Sequence, residues 1–143
     1  MSIQKVLVLD ANILIRACLG SRVLQLLKKY EESVSFYSPD VCFADAERHV
    51  STIFERRGLP VSAAILVLEQ LSRLVHPVTL TSYQEHEKTA RKRIADRDSS
   101  DWPVVAAALF LRCPIWTEDQ DFFGTGVATW TTNRVEEYLG DVQ

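Results

Sequence analysis

Four separate places along the chain put carboxylates where they could act together. Asp10 directly follows the apolar run Val6-Leu7-Val8-Leu9 and precedes Ala11-Asn12, so a carboxylate and an amide stand where a short strand ends. Glu47 has Phe43, Val50 and Phe54 at i−4, i+3 and i+7, which sets it within the apolar stripe of a helix and turns it inward. Asp98 and Asp101 lie just before Trp102-Pro103-Val104-Val105-Ala106-Ala107-Ala108, a helix whose small residues suit close packing on a sheet. Finally, Glu118, Asp119 and Asp121 follow the apolar pair Ile115-Trp116 and Thr117.

Each place also has a plainer explanation. Asp10 or Asn12 could simply cap a helix, since both residue types are good N-caps. An inward Glu47 needs compensation for its burial, and an arginine partner would serve as well as a metal. Asp98 reads as readily as a turn residue, and the acids after Thr117 could be solvated on a loop. The functional reading rests on coincidence, because strand ends and helix starts bring all four places towards one edge of an α/β sheet. Convergent carboxylate oxygens without histidine or thiolate ligands suit hard cations, Mg²⁺ or Mn²⁺. Phosphate-ester hydrolysis is the chemistry such a cation serves, by acidifying water and neutralising phosphoryl oxygens.

The elements that must position these acids follow from hydrophobic patterning. Short β-branched runs predict strands at Lys5–Leu9, Ser33–Tyr37, Pro77–Thr81, Pro114–Thr117 and Ala128–Thr131. Helical spacing predicts helices at Ala11–Lys29, Val41–Arg57, Val61–Leu74, Tyr83–Ala95, Trp102–Leu111 and Arg134–Leu139. Asp40, Ser82 and Asp101 are expected caps, and Pro60 and Pro103 mark helix starts. Strands alternating with helices imply an α/β fold: a three-layer α/β/α sandwich around a mainly parallel sheet of about five strands. No linker or repeat interrupts the pattern, so residues 1–143 read as one domain.

Composition agrees and excludes alternatives. With 143 residues, 47% hydrophobic and 24% charged, the chain can bury a core without staples, and its three cysteines form no C-x-x-C pair. The longest apolar run, Val104–Leu111, is too short to span a membrane, and Val6–Leu9 is too short for a signal-peptide core. A cytoplasmic location without membrane association is the expectation. The glycines form neither a dinucleotide fingerprint nor a P-loop, and the three histidines lack metal-ligand spacing. The net charge of −3 hides a segregation, with Lys88, Arg91, Lys92, Arg93 and Arg97 clustered in one stretch.

The segment Leu9-Asp10-Ala11-Asn12-Ile13-Leu14-Ile15, the helical Glu47, Asp101 before a small-residue helix, and Thr117-Glu118-Asp119-Gln120-Asp121-Phe122 occur in an order that resembles the PIN-domain nucleases, and within them the VapC-type toxins. The resemblance runs from Asp10 to Thr132. It implies a metal-dependent endoribonuclease acting on single-stranded RNA and leaving 3′-hydroxyl and 5′-phosphate ends. Asp10, Glu47, Asp101 and Asp119 would be the catalytic acids, with Asp98 and Asp121 as alternative metal ligands and Asn12 supporting Asp10. A homodimer and a small antitoxin that occludes the acidic groove are also implied.

Lys92, Arg93 and Arg97 are the expected phosphate contacts, because they lie close in sequence to Asp98 and Asp101. Thr117 is placed to hydrogen-bond a metal-held water. Trp102, Trp116 and Trp130 could stack on bases, although core packing explains them as well. A PIN-like scaffold that only binds RNA or protein, and a phosphatase acting on small esters, are the competing readings. Asn12 stands where an aspartate-nucleophile phosphatase needs its second acid, and no lysine follows Lys92 as a receiver domain would require.

Overall fold

The computed structural model describes residues 4–95 and 97–140. Its sheet contains β1 (Lys5–Leu9), β2 (Val34–Pro39), β3 (Val75–Val78), β4 (Ile115–Trp116) and β5 (Thr129–Trp130), in the order β3-β2-β1-β4-β5. Every neighbouring pair is parallel, with Leu7 opposite Phe36 and Leu9 opposite Trp116. Leu7, Val8 and Leu9 are completely buried, as expected of a central parallel strand covered on both faces.

The strand order dictates the layers. The crossovers β1 to β2 and β2 to β3 run in one direction and carry α1 (Ala11–Cys18), α2 (Arg22–Tyr30), α3 (Asp40–Arg56) and α4 (Val61–Leu71). Helix α1 packs on α2, α3 and α4, forming one layer. The crossover from β3 to β4 reverses direction, so connections of one hand place its helices on the other face. These are α5 (Leu80–Tyr83), α6 (Glu87–Arg93) and α7 (Trp102–Leu111), with 3₁₀ turns at Gln84–His86 and Ser99–Asp101. Helix α7 is apolar all round and buries Pro103 to Ala108 while lying against β1, β2 and β4. Helix α8 (Val135–Leu139) closes the fold after β5 and buries Val135 and Leu139.

The α/β/α class is present and each expected strand overlaps an observed one, but β3 runs over Val75–Val78, two residues earlier than the expected Pro77–Thr81, because Leu80 already opens α5; three further local differences concern the helices. The helix expected over Ala11–Lys29 is two helices, because Gly20 takes φ +74° and Ser21 then caps α2 by accepting from the Val23 amide at 3.2 Å. The helix expected over Tyr83–Ala95 begins earlier, at Leu80, and is interrupted by the 3₁₀ turn, so Ser82 lies inside α5 instead of capping it. Asp40 does not cap α3, whose N-cap is Pro39. Instead it accepts from the Leu80 amide (3.2 Å) and the Tyr83 hydroxyl (3.0 Å), tying the start of α3 to α5. Among the described residues no helix is long and apolar enough to cross a membrane.

Candidate active site

The sheet changes winding direction between β1 and β4, and there the carboxyl ends of adjacent strands open a crevice. A pocket of about 420 Å³ occupies it, lined by the acids Asp10, Asp45, Asp101, Glu118 and Asp119 together with Asn12 and His49. Its apolar wall includes Ile15, Val41 and Val104.

Asp10 caps α1. Its side chain accepts from the Ile13 amide at 3.0 Å and, on the other oxygen, from the Thr117 hydroxyl. The residue is only 6% exposed, and burial pushes its carboxyl up to about 6 against the lowering effect of those hydrogen bonds. Thr117 therefore faces Asp10 and is fully buried, leaving no surface for substrate. Its oxygen also accepts from the Asp119 amide at 2.9 Å, so one hydroxyl fixes the ends of β1 and β4 relative to each other.

Asp101 precedes α7 but makes no capping hydrogen bond, so its carboxylate remains available to the pocket. Burial, and then repulsion from Asp98, Asp119, Asp10 and Asp121, raises it to about 7. Asp98, by contrast, is exposed, and its carboxylate is taken by the Ser100 amide (3.0 Å) and hydroxyl (2.6 Å), which hold its pKa below the usual carboxylate range. Asp119 accepts from the Asp121 amide at 2.9 Å. Asp101, Asp119 and Asp121 each offer an oxygen within 4.8 Å of the other two.

Glu47 does not face inward. The buried stripe of α3 runs through Cys42, Ala46, Val50 and Phe54, whereas Phe43 is only half-buried. Glu47, about 100° round from Ala46, falls on the exposed surface outside the pocket. The α3 carboxylate that reaches the pocket is Asp45, on the opposite flank of Ala46 and paired with Arg48. A stripe drawn through Cys42 and Ala46 instead of Phe43 would have placed Asp45 correctly. Sequence reasoning also missed His49, one turn further along α3.

The expected phosphate contacts also lie elsewhere. Arg93 donates to the Thr125 carbonyl at 3.2 Å, and Arg97 lies against Gly124, so both brace the loop after Asp121, while Lys92 is exposed on α6; none of the three lines the pocket. Asn12 is exposed at the pocket edge. Trp116 is fully buried with its indole N–H on Thr132 (3.1 Å), Trp102 packs edge-on against Tyr83, and Trp130 stacks on Tyr138. Burial pushes the Cys42 thiol up to about 12, so the one cysteine in the pocket is not a thiolate nucleophile.

Winding and pocket together define a doubly wound α/β/α domain with an oxygen-donor site at its switch point. The chain belongs to the PIN domain family, which matches residues 8–140. Its fold is similar to that of VapBC2 from Rickettsia felis, solved bound to a promoter DNA fragment, with TM-score 0.69 and 10% identity over 88% of this chain and 98% of that one. It is also similar to VapBC-1 from nontypeable Haemophilus influenzae, with TM-score 0.61 and 15% identity over 90% and 99% of the two chains. PAE2754 from Pyrobaculum aerophilum matches with TM-score 0.66 and 14% identity over 97% of this chain and 91% of that one. No curated protein matches the sequence.

Proposed function

We propose that the protein is a divalent-metal-dependent endoribonuclease and the VapC-type toxin of a toxin–antitoxin pair. The observation that carries the reading is the convergence of Asp10, Asp45, Asp101 and Asp119 in one pocket, with Asp121 beside it. Two of these acids are held well above the usual carboxylate range by burial and mutual repulsion, which is how a site built for positive charge looks without it. The donor set is all oxygen and fits Mg²⁺ or Mn²⁺. Asp10, Asp101 and Asp119 are the assigned ligands, with Asp45 in the role expected of Glu47 and Asp121 as a further donor.

A divalent cation at these acids would supply charge stabilisation for phosphoryl oxygens and acidify water. The protein's own part is positional. Thr117 orients Asp10 and the Asp119 backbone together, Asn12 stands at the exposed edge of the pocket, and the Ile15 and Val41 wall keeps one side of the pocket apolar. Membership of the PIN family and the fold shared with VapBC2 and VapBC-1 support the toxin assignment and an antitoxin partner; a homodimer belongs to the same reading. A cytoplasmic location follows from the same assignment.

The test is cleavage of a mixed RNA pool by the purified protein with Mg²⁺, with Mn²⁺ or with chelator, beside Asp10→Asn prepared identically. Metal-dependent cleavage that disappears in the variant is the expected result. Equal activity in both proteins identifies a contaminant, and absence of activity with either metal overturns the assignment.

A further inference from the structure

Helix α3 brings His49 to the pocket as well as the acid Asp45. Asp45, Arg48 and His49, Thr52, and Arg56 recur at i, i+3 and i+4, i+7 and i+11, which places them on one face of the helix. Arg48, His49, Thr52, Ile53 and Arg56 line a shallow trough of about 560 Å³, and His49 lines both this trough and the acidic pocket. The two adjoin at His49, with acids on one side and guanidinium groups on the other. From Asp45 to Arg56 the helix rises about 16 Å, enough to follow several nucleotides of an extended strand.

We propose that this face of α3 is the path along which single-stranded RNA enters the acidic pocket, its phosphates held by Arg56 and Arg48 and its approach shaped by His49. The proposal rests on the nuclease reading and supplies what that reading lacks, a cationic surface joined to the acids. A strand with a scissile phosphate among carboxylates needs its neighbouring phosphates neutralised; of the cations expected to do so, Arg93 and Arg97 are engaged with the loop after Asp121, and Lys92 is exposed on α6 outside the pocket.

Local hydrogen bonding presents the face in a usable state. The His49 Nδ1 lies 2.8 Å from the Asp45 carbonyl, which can only accept, so Nδ1 carries the proton and Nε2 is left for another partner. The Thr52 hydroxyl is turned back to the Arg48 carbonyl, to which it donates at 3.0 Å. Arg48 pairs with Asp45 at the pocket rim, but its side chain is 73% exposed, so exchange of that partner for a phosphate costs little. The other acids of the helix beyond Asp40 and Asp45, Glu47 and Glu55, do not line the trough.

The experiment measures binding of a labelled single-stranded RNA of about 12 nucleotides by fluorescence anisotropy across a salt series in chelator, together with cleavage kinetics in Mg²⁺. The full-length protein is compared with Arg56→Gln, with Arg48→Gln, and with Lys88→Gln on the exposed face of α6. Arg56→Gln is expected to weaken binding several-fold, to lower the slope of log K against log salt by about 0.7, and to raise KM while leaving kcat nearly unchanged. Arg48→Gln should do the same to the slope, whereas Lys88→Gln should change neither quantity. If the wild-type protein cuts RNA and Arg56→Gln matches it in slope and KM, or Lys88→Gln loses as much, the path is wrong and the nuclease reading stands. Wild-type protein that neither binds nor cuts RNA overturns both.

Discussion

Asp10→Asn should make the metal-free protein more stable while abolishing cleavage. Burial raises the Asp10 carboxyl from 3.8 to about 6, a shift of roughly two units, or about 3 kcal/mol of penalty once it is ionised in the folded state. Between those values the native state holds the proton more tightly than the unfolded chain. Stability therefore falls as the pH rises through this window and stays low above it. Asparagine removes the charge but not the shape. Its oxygen can still accept from the Ile13 amide, whereas the Thr117 hydroxyl hydrogen loses its carboxylate acceptor, at a cost of about 1 kcal/mol.

The net expectation is about 1–2 kcal/mol of stabilisation at pH 8, or roughly 3–8 °C in Tm for a chain of this size. Thermal unfolding in chelator from pH 4 to pH 8 measures it, and the difference between variant and wild type should shrink as the pH falls below about 6 and reverse near about pH 5. Added Mn²⁺ should raise the wild-type Tm more than the variant's, because only the wild type presents the full set of acids. A variant less stable than wild type at pH 8 in chelator, or a difference independent of pH, would refute the claim that Asp10 is held there at an electrostatic cost.

Asp45→Asn should reduce cleavage by more than about 100-fold, beyond what loss of an outer-sphere partner costs, and Glu47→Gln should leave kcat/KM within about twofold; the reverse ranking would return the helical acid to Glu47. Thr117→Val should weaken Mn²⁺ binding by calorimetry about 10–100-fold, since it releases both Asp10 and the Asp119 amide, and unchanged affinity would reduce Thr117 to packing. Gly126→Ala should destabilise the fold by about 1–2 kcal/mol in urea unfolding, because Gly126 has φ +85° and its added Cβ would meet the Arg93 guanidinium at 2.8 Å. Arg93→Ala in that background should restore only part of the loss, as the backbone strain remains.

Short apolar runs located four of the five strands closely, and helical spacing most of the helices, because a parallel sheet buried on both faces leaves continuous apolar runs such as Val6–Leu9; β3, at Val75–Val78, lies two residues earlier than expected. The breaks inside helices were less legible. Gly20 splits the first long helix through a positive φ that a single glycine in an amphipathic run does not announce. At the site, strand-end acids such as Asp10 and Asp119 could be read directly, since following an apolar strand fixes their place in space. Asp101 was legible for the same reason, as the residue opening an apolar helix. The acid on α3 was not, because a helix has several flanks and the choice between them turns on which aromatic counts as buried. Phe43 at half burial shifted the inferred face by about one residue, enough to exchange Asp45 for Glu47.

The cations were misplaced for a different reason. Proximity in sequence to Asp98 and Asp101 favoured Lys92, Arg93 and Arg97, yet Arg93 and Arg97 pack onto the loop that follows Asp121. Glycines at 124 and 126, both at positive φ, leave room for those guanidinium groups where a side chain would collide. Two members of the basic cluster, Arg93 and Arg97, thus support the loop that follows Asp121. Once α3 is rotated so that Asp45 enters the pocket, Arg48 and Arg56 come onto the adjoining face without further assumption, because they stand three and eleven residues beyond it. A helix that supplies one acid at its N-terminal end and cations along the next turns is suited to a polyanion held at several phosphates and attacked at one.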